Sequence, residues 1–65
     1  MRRTKEEAAL TRQQILNAAL SVFGSKGYSA ATLEEIAKAA GVTRGAIYWH
    51  FENKAQLYNA LITAY

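Results

Sequence analysis

The sequence predicts an all-α domain, a three-helix bundle followed by the start of a fourth helix. Three observations predict it. The 65 residues include 13 alanines and no proline, a composition that favours helix throughout. No stretch alternates apolar and polar residues over a useful window, so no strand is expected. Capping residues and glycines punctuate the chain at intervals suited to short helices.

The first helix is expected to start at Thr4, where Thr4-Lys5-Glu6-Glu7 reads as a capping box. Thr11 with Gln14 offers a second start, which would let the segment before it fray. Ile15, Leu16, Ala19, Val22 and Phe23 recur at helical spacing and form the expected buried stripe. Lys26 in the last turn and Gly27 beyond it mark the end. Thr32-Leu33-Glu34-Glu35 is another capping box and opens the second helix, with Leu33, Ile36, Ala37 and Ala40 on its apolar face. Gly41 ends that helix after about two turns, since glycine takes a positive φ at little cost. Gly41-Val42-Thr43 then forms a tight turn, with Val42 as an apolar plug and Thr43 as the cap of a third helix over about 44–50. Asn53 caps a fourth helix from Lys54 towards Tyr65, with Leu57 and Leu61 on one face. That helix carries no stop signal and is expected to be the cut start of a longer one. The expected division is residues 1–52 as one domain, with its central motif at about 33–52, and residues 53–65 as the start of a connecting helix.

Composition narrows the chemistry. Leu, Ile, Val and Phe total 14 residues, so the core is thin and the chain is one small domain. Such a core supplies roughly 3–5 kcal/mol. There is no Cys and no Asp, and only one His. These counts exclude a disulfide scaffold, thiol catalysis and most metal sites, so no cofactor or metal is expected and an enzyme is not. No apolar run approaches the roughly 18 residues of a membrane span. The first residues are charged and lack the apolar stretch of a secretory signal, so a cytoplasmic protein is expected. The net charge of +3 and the pI of about 9.5 lean towards a nucleic-acid partner. Much of the excess lies in the N-terminal arm, where Arg2, Arg3, Lys5 and Arg12 face only Glu6 and Glu7.

The informative unit is Thr32–Phe51: cap, helix, glycine turn, cap, helix. This is a helix-turn-helix of homeodomain-like form. On a wheel of about 100° per residue, Ile47 and Phe51 share the core face of the third helix. Gly45 and Trp49 lie opposite, flanked by Ala46 and Tyr48. Packing does not explain a large aromatic opposite the core of a tiny domain, but contact with another surface does. Gly45 and Ala46 permit close approach, and Arg44 can reach base edges in a DNA groove.

The run Gly41-Val42-Thr43-Arg44-Gly45-Ala46-Ile47-Tyr48-Trp49-His50-Phe51, followed by Asn53-Lys54, resembles the DNA-binding domain of the TetR/AcrR family of bacterial repressors. The likeness is greatest to repressors of multidrug efflux pumps. It extends through Leu33-Glu34-Glu35-Ile36-Ala37-Lys38-Ala39-Ala40, Arg3-Thr4-Lys5-Glu6-Glu7-Ala8 and Thr11-Arg12. The resemblance implies a homodimer of all-helical subunits on a palindromic DNA operator. The fourth helix would lead into a ligand-binding and dimerisation domain that lies outside these residues, and a small-molecule inducer would bind only there. The regulated gene would be an efflux or stress gene, and the repressor would act at the nucleoid.

Residue roles follow from the resemblance. Arg44 and Gly45 match base-contact positions. Thr43, Ala46, Tyr48, Trp49 and His50 match a set that contacts phosphates or bases. Tyr48 and Trp49 are assigned to bases, and Thr43, Ala46, Tyr48 and His50 to phosphates. Thr32 and Lys54 match phosphate contacts at the starts of the second and fourth helices. Arg2, Arg3 and Lys5 form an arm that adds salt-dependent affinity. Glu34 stands where some members carry a basic base-reader, and an acid there cannot pair with phosphate.

Each assignment has a plainer rival. Arg44 could be a surface partner for Glu34 or Glu35. Thr32 and Thr43 are N-caps in either case. A single His50 without a second ligand is structural or solvated rather than metal-binding. Two other function classes compete. A helical protein-interaction module would dock a partner on the Tyr48/Trp49 face. A membrane-surface peptide is disfavoured, because such helices are long and uninterrupted whereas these are short and broken by glycine.

Overall fold

The computed structural model describes residues 5–64, which form four helices and, among those residues, no strand. Helix α1 spans Lys5–Lys26, α2 Leu33–Ala40, α3 Arg44–His50 and α4 Lys54–Ala64. Thr4 with its expected cap, Arg2, Arg3 and the terminal Tyr65 lie outside the described residues.

Helix α1 is the scaffold. It runs unbroken for 22 residues. Thr11 is therefore not a second start. Its hydroxyl donates 3.0 Å back to the Glu7 carbonyl, and its side chain is buried in line with Ile15. A threonine that bonds the preceding turn continues a helix rather than capping one. The stripe holds as expected at Ile15, Leu16, Ala19 and Phe23, with Ala18 added and Val22 only half-buried. Gly27 ends the helix at φ 85°, its N–H donating 2.8 Å to the Phe23 carbonyl.

Both helices of the central motif are closed by local bonds. The Thr32 hydroxyl accepts from the Glu35 N–H at 3.1 Å, and the Glu35 carboxylate accepts from the Thr32 N–H at 3.2 Å. At the other end of α2 the Gly41 N–H donates to Lys38 at 3.2 Å and the Val42 N–H to Ala37 at 3.0 Å. This reciprocal pair is a Schellman closure, which Gly41 permits at φ 75°. The Thr43 hydroxyl accepts from the Ala46 N–H at 3.1 Å. The Asn53 side chain caps α4 by accepting from the Gln56 N–H at 2.8 Å.

One core joins all four helices. Ile15, Ile36, Ile47 and Leu57, one from each helix, are its largest fully buried side chains. Leu33, Ala37, Phe51 and Leu61 complete the layer around α1, while Ala40 and Val42 pack at its edge. Each buried Leu, Ile or Phe contributes roughly 1.5–3 kcal/mol against the entropy of ordering the chain. Leu57 and Leu61 belong to the same core as Ile15, so the first two turns of α4 fold with α1. Among the described residues no helix is long and apolar enough to cross a membrane.

Candidate DNA-binding surface

Helix α3 is only seven residues long. Such a helix does not hold in water by itself. It is held by the Thr43 cap, by Ile47 at 0% exposure and by Phe51, which follows at its end. Ile47 is its one buried residue, so the rest of its surface is left for something else.

The wheel expectation is met residue by residue. Trp49 is 74% exposed and Tyr48 48% exposed. Gly45, Thr43 and Arg44 are exposed beside them, while Ala46 and His50 are half-buried. A Cβ on Gly45 would come no nearer than 3.9 Å to another residue, the Thr43 hydroxyl, so the backbone there is open to close approach. The His50 ring sits 4.8 Å from the Trp49 ring, edge to face. Thr11, Thr43, Gly45, Ala46, Trp49 and His50 line one open cleft, which places the early turns of α1 alongside α3.

The polar residues divide into two kinds. Some keep a free function. The Thr43 oxygen accepts the cap bond, and among the described residues nothing accepts its proton. Others are already engaged. The Thr32 hydroxyl lies 3.2 Å from the Glu35 carboxylate to which it donates, so its proton is taken within the capping box. Arg44 is ion-paired with Glu34 across the turn, through one guanidinium nitrogen. Glu35 is taken up by Lys26 at the end of α1. The Lys26 hydrogen bond, helped by the Thr32 N–H, holds the Glu35 carboxyl below its ordinary value, against a smaller opposing effect of desolvation.

Lys54 opens α4, as the sequence predicts. Its ammonium turns to the loop between α1 and α2. It donates to the carbonyls of Tyr28 at 2.7 Å, Ala31 at 3.0 Å and Ser29 at 3.4 Å, and lies 4.5 Å from the centre of the Tyr28 ring. A phosphate bond to Lys54 would have to exchange one of these. Lys5 is exposed at the start of α1, and Arg2 and Arg3 lie outside the described residues.

Two contributors were missed at the sequence level. Thr11 lines the cleft beside α3, and its signal was present, since it lies four residues before Ile15 on the same helical face. Arg12 lies 4.8 Å from the centre of the Phe51 ring, bracing the end of α3 from α1. No local pattern in the sequence announces that contact.

The chain is similar to known bacterial regulators. Residues 15–61 match the sequence pattern of the bacterial regulatory proteins of the tetR family. The chain is 58% identical over 60 residues to the HTH-type transcriptional regulator AcrR of Shigella flexneri, covering 92% of this chain and 28% of that protein. It is 60% identical over 62 residues to the HTH-type transcriptional regulator TtgR of Pseudomonas putida, covering 95% and 30%. Among solved structures it resembles NalD, the secondary repressor of the MexAB-OprM multidrug efflux pump in Pseudomonas aeruginosa. There the identity is 54% and the TM-score 0.86, over 88% of this chain and 29% of that one. The chain thus spans less than a third of the length of the curated relatives it matches. These relatives are regulators by name, which leaves the protein-docking reading of the Tyr48/Trp49 face without support. With its helix-turn-helix intact and the pattern matched from α1 to α4, the chain belongs to the tetR family of bacterial regulatory proteins.

Proposed function

We propose that this chain is the DNA-reading domain of a transcriptional repressor, with α3 set in the major groove of a palindromic operator. One observation carries the reading. A capped helix turns a single residue, Ile47, into the core and presents Arg44, Gly45, Tyr48 and Trp49 along its open side. Arg44 can offer a fork of donors to guanine, and the small Gly45 lets the backbone come close to the base edges. Tyr48 and Trp49 add base contacts, and the Tyr48 hydroxyl also reaches phosphate. Thr43, Ala46 and His50 fix the register on the backbone, as phosphate contacts do. Thr32 contributes once its proton leaves the capping box. Lys54 reaches phosphate by exchanging its longest carbonyl contact, that to Ser29.

In this reading α4 leads on to a domain for dimerisation and for a small-molecule inducer. The protein acts in the cytoplasm at the nucleoid, and an efflux or stress gene is the expected target. The efflux-pump role printed for NalD supports that last point.

The test is selection from a randomised duplex pool, with two copies of the chain joined by a fused dimeriser. An inverted repeat should be recovered. Arg44→Ala should relax one position at a cost of about 1–3 kcal/mol. Recovery of no repeat, with binding insensitive to salt, refutes the reading.

A further inference from the structure

We propose that Glu34 is a specificity-determining residue that acts through Arg44, an inference that rests on the DNA-binding reading above. Glu34 lies in the first turn of α2, and Arg44 is the first residue of α3. Their ion pair spans the helix-turn-helix at the rim of the open face. Both side chains stay well exposed, at 65% and 63%, so DNA can reach the pair without unfolding anything.

Two consequences follow for the guanidinium. The first is orientation. Glu34 takes a donor from one terminal nitrogen only, and among the described residues no other group accepts from Arg44. A guanidinium has five donors in a rigid fork, so one edge remains complete. Guanine recognition needs one such edge, aimed at O6 and N7. A carboxylate fixed on the neighbouring helix holds the opposite corner and limits how the free edge can turn.

The second is charge. Across α2 and α3 the charges of Lys38 and Arg44 balance those of Glu34 and Glu35, so the reading unit carries no excess positive charge. An Arg44 freed of Glu34 would pair with any phosphate it met. Beside Glu34, each approaching phosphate meets a carboxylate that repels it. A neutral base edge does not meet that repulsion. The pair therefore discriminates against backbone contact while leaving base contact open. Negative elements of this kind raise specificity by weakening the wrong complex. Exposed ion pairs contribute little to stability, so the fold does not require this one.

The test uses Glu34→Gln, Arg44→Ala and the double variant, each as two copies of the 65-residue chain joined by the same fused dimeriser. The probes are a duplex enriched from a randomised pool by the unaltered chain and a scrambled duplex of the same composition. Glu34→Gln should melt at the same temperature as the parent. It should bind the scrambled duplex about three- to tenfold more tightly, with a salt slope steeper by about 0.9 per copy as each Arg44 gains one phosphate. Its preference for the enriched duplex should fall by the same factor. In the Arg44→Ala background, Glu34→Gln should change neither the preference nor the slope. Glu34→Asp should restore part of the preference. An unchanged preference in Glu34→Gln overturns the proposal. So does an equal effect with and without Arg44, which would make Glu34 a plain repulsive charge. Failure of two joined copies of the unaltered chain to enrich any duplex, with binding insensitive to salt, overturns the DNA-binding reading itself, a result distinct from both.

Discussion

Replacing Lys54 with Met separates a structural role from a DNA-binding one. Met keeps an apolar stem of similar reach and removes the ammonium. Three carbonyls then lose a donor. The Tyr28 and Ser29 bonds are exposed, and water can replace them at little cost. The Ala31 bond is partly buried, and Ala31 itself sits in the core at 1% exposure. A buried acceptor left unmade costs about 1–3 kcal/mol. The favourable approach of the ammonium to the Tyr28 ring is lost as well, roughly 0.5–1 kcal/mol at an exposed site. Because the Ala31 bond is only partly buried the lower ends apply, and the expected total is about 2 kcal/mol. Against a core that supplies roughly 3–5 kcal/mol, this is a large fraction of the whole. At about 4–8 °C per kcal/mol for a domain of this size, the melting temperature should drop by about 8–16 °C. Thermal unfolding followed by circular dichroism measures it. Duplex binding, measured well below the transition, should weaken alike for all sequences. A melting temperature within about 2 °C of the parent, with duplex binding lost, would refute the reasoning. Lys54 would then serve phosphate alone, and its carbonyl contacts would carry no energy.

Three further outcomes are expected. Gly41→Ala should destabilise by about 1–2 kcal/mol in urea unfolding, because the residue sits at φ 75° although a Cβ there would touch nothing within 4 Å. Trp49→Ala should leave stability within about 0.5 kcal/mol, since the side chain is exposed, while it weakens duplex binding; as the sole tryptophan, Trp49 should also change its fluorescence when duplex is added. The Glu35 carboxyl is held below its ordinary value chiefly by Lys26, so its contribution is present above the unfolded-state pKa and is lost as pH falls through the lower folded-state value. Acid titration of the melting temperature should show this loss, and Glu35→Gln should flatten it.

What was legible in the sequence was local. The capping residues Thr32, Thr43 and Asn53 act on groups within three residues, so the chain announces them directly. The faces of α3 follow from helical period alone, which is why Ile47 and Trp49 fell where expected. What was illegible depends on the packing of distant segments. Lys54 bonds a carbonyl 26 positions away, and no rule of spacing links them. Phe23, Tyr28 and Tyr58 meet with ring centres 5.0–5.7 Å apart, an aromatic cluster that exists only once α4 lies on α1. Thr11 departs from its expected place for a different reason. Its cap-like pattern with Gln14 competed with its place on the Ile15 face, and burial decided for the face.

Arg44 shows how the fold resolves an ambiguity that sequence leaves open. Glu34 and Glu35 are adjacent, and either lies within reach by sequence distance. Glu35 cannot serve, because it closes the Thr32 capping box and receives Lys26. The period of the helix separates neighbouring side chains by about 100°, so Glu34 points away from that network and towards α3. The two acids of one helical turn therefore do different work. Glu35 ties α2 back to the end of α1, and Glu34 ties it forward to the start of α3. The buried Leu33, Ile36 and Ala37 of α2 fix its angle to both neighbours, so neither exposed tie is needed for that. The tie to α1 supports the cap and so bears on stability. The tie to α3 is exposed on a face that the core does not use, so it can change with the DNA sequence to be read while the fold stays as it is.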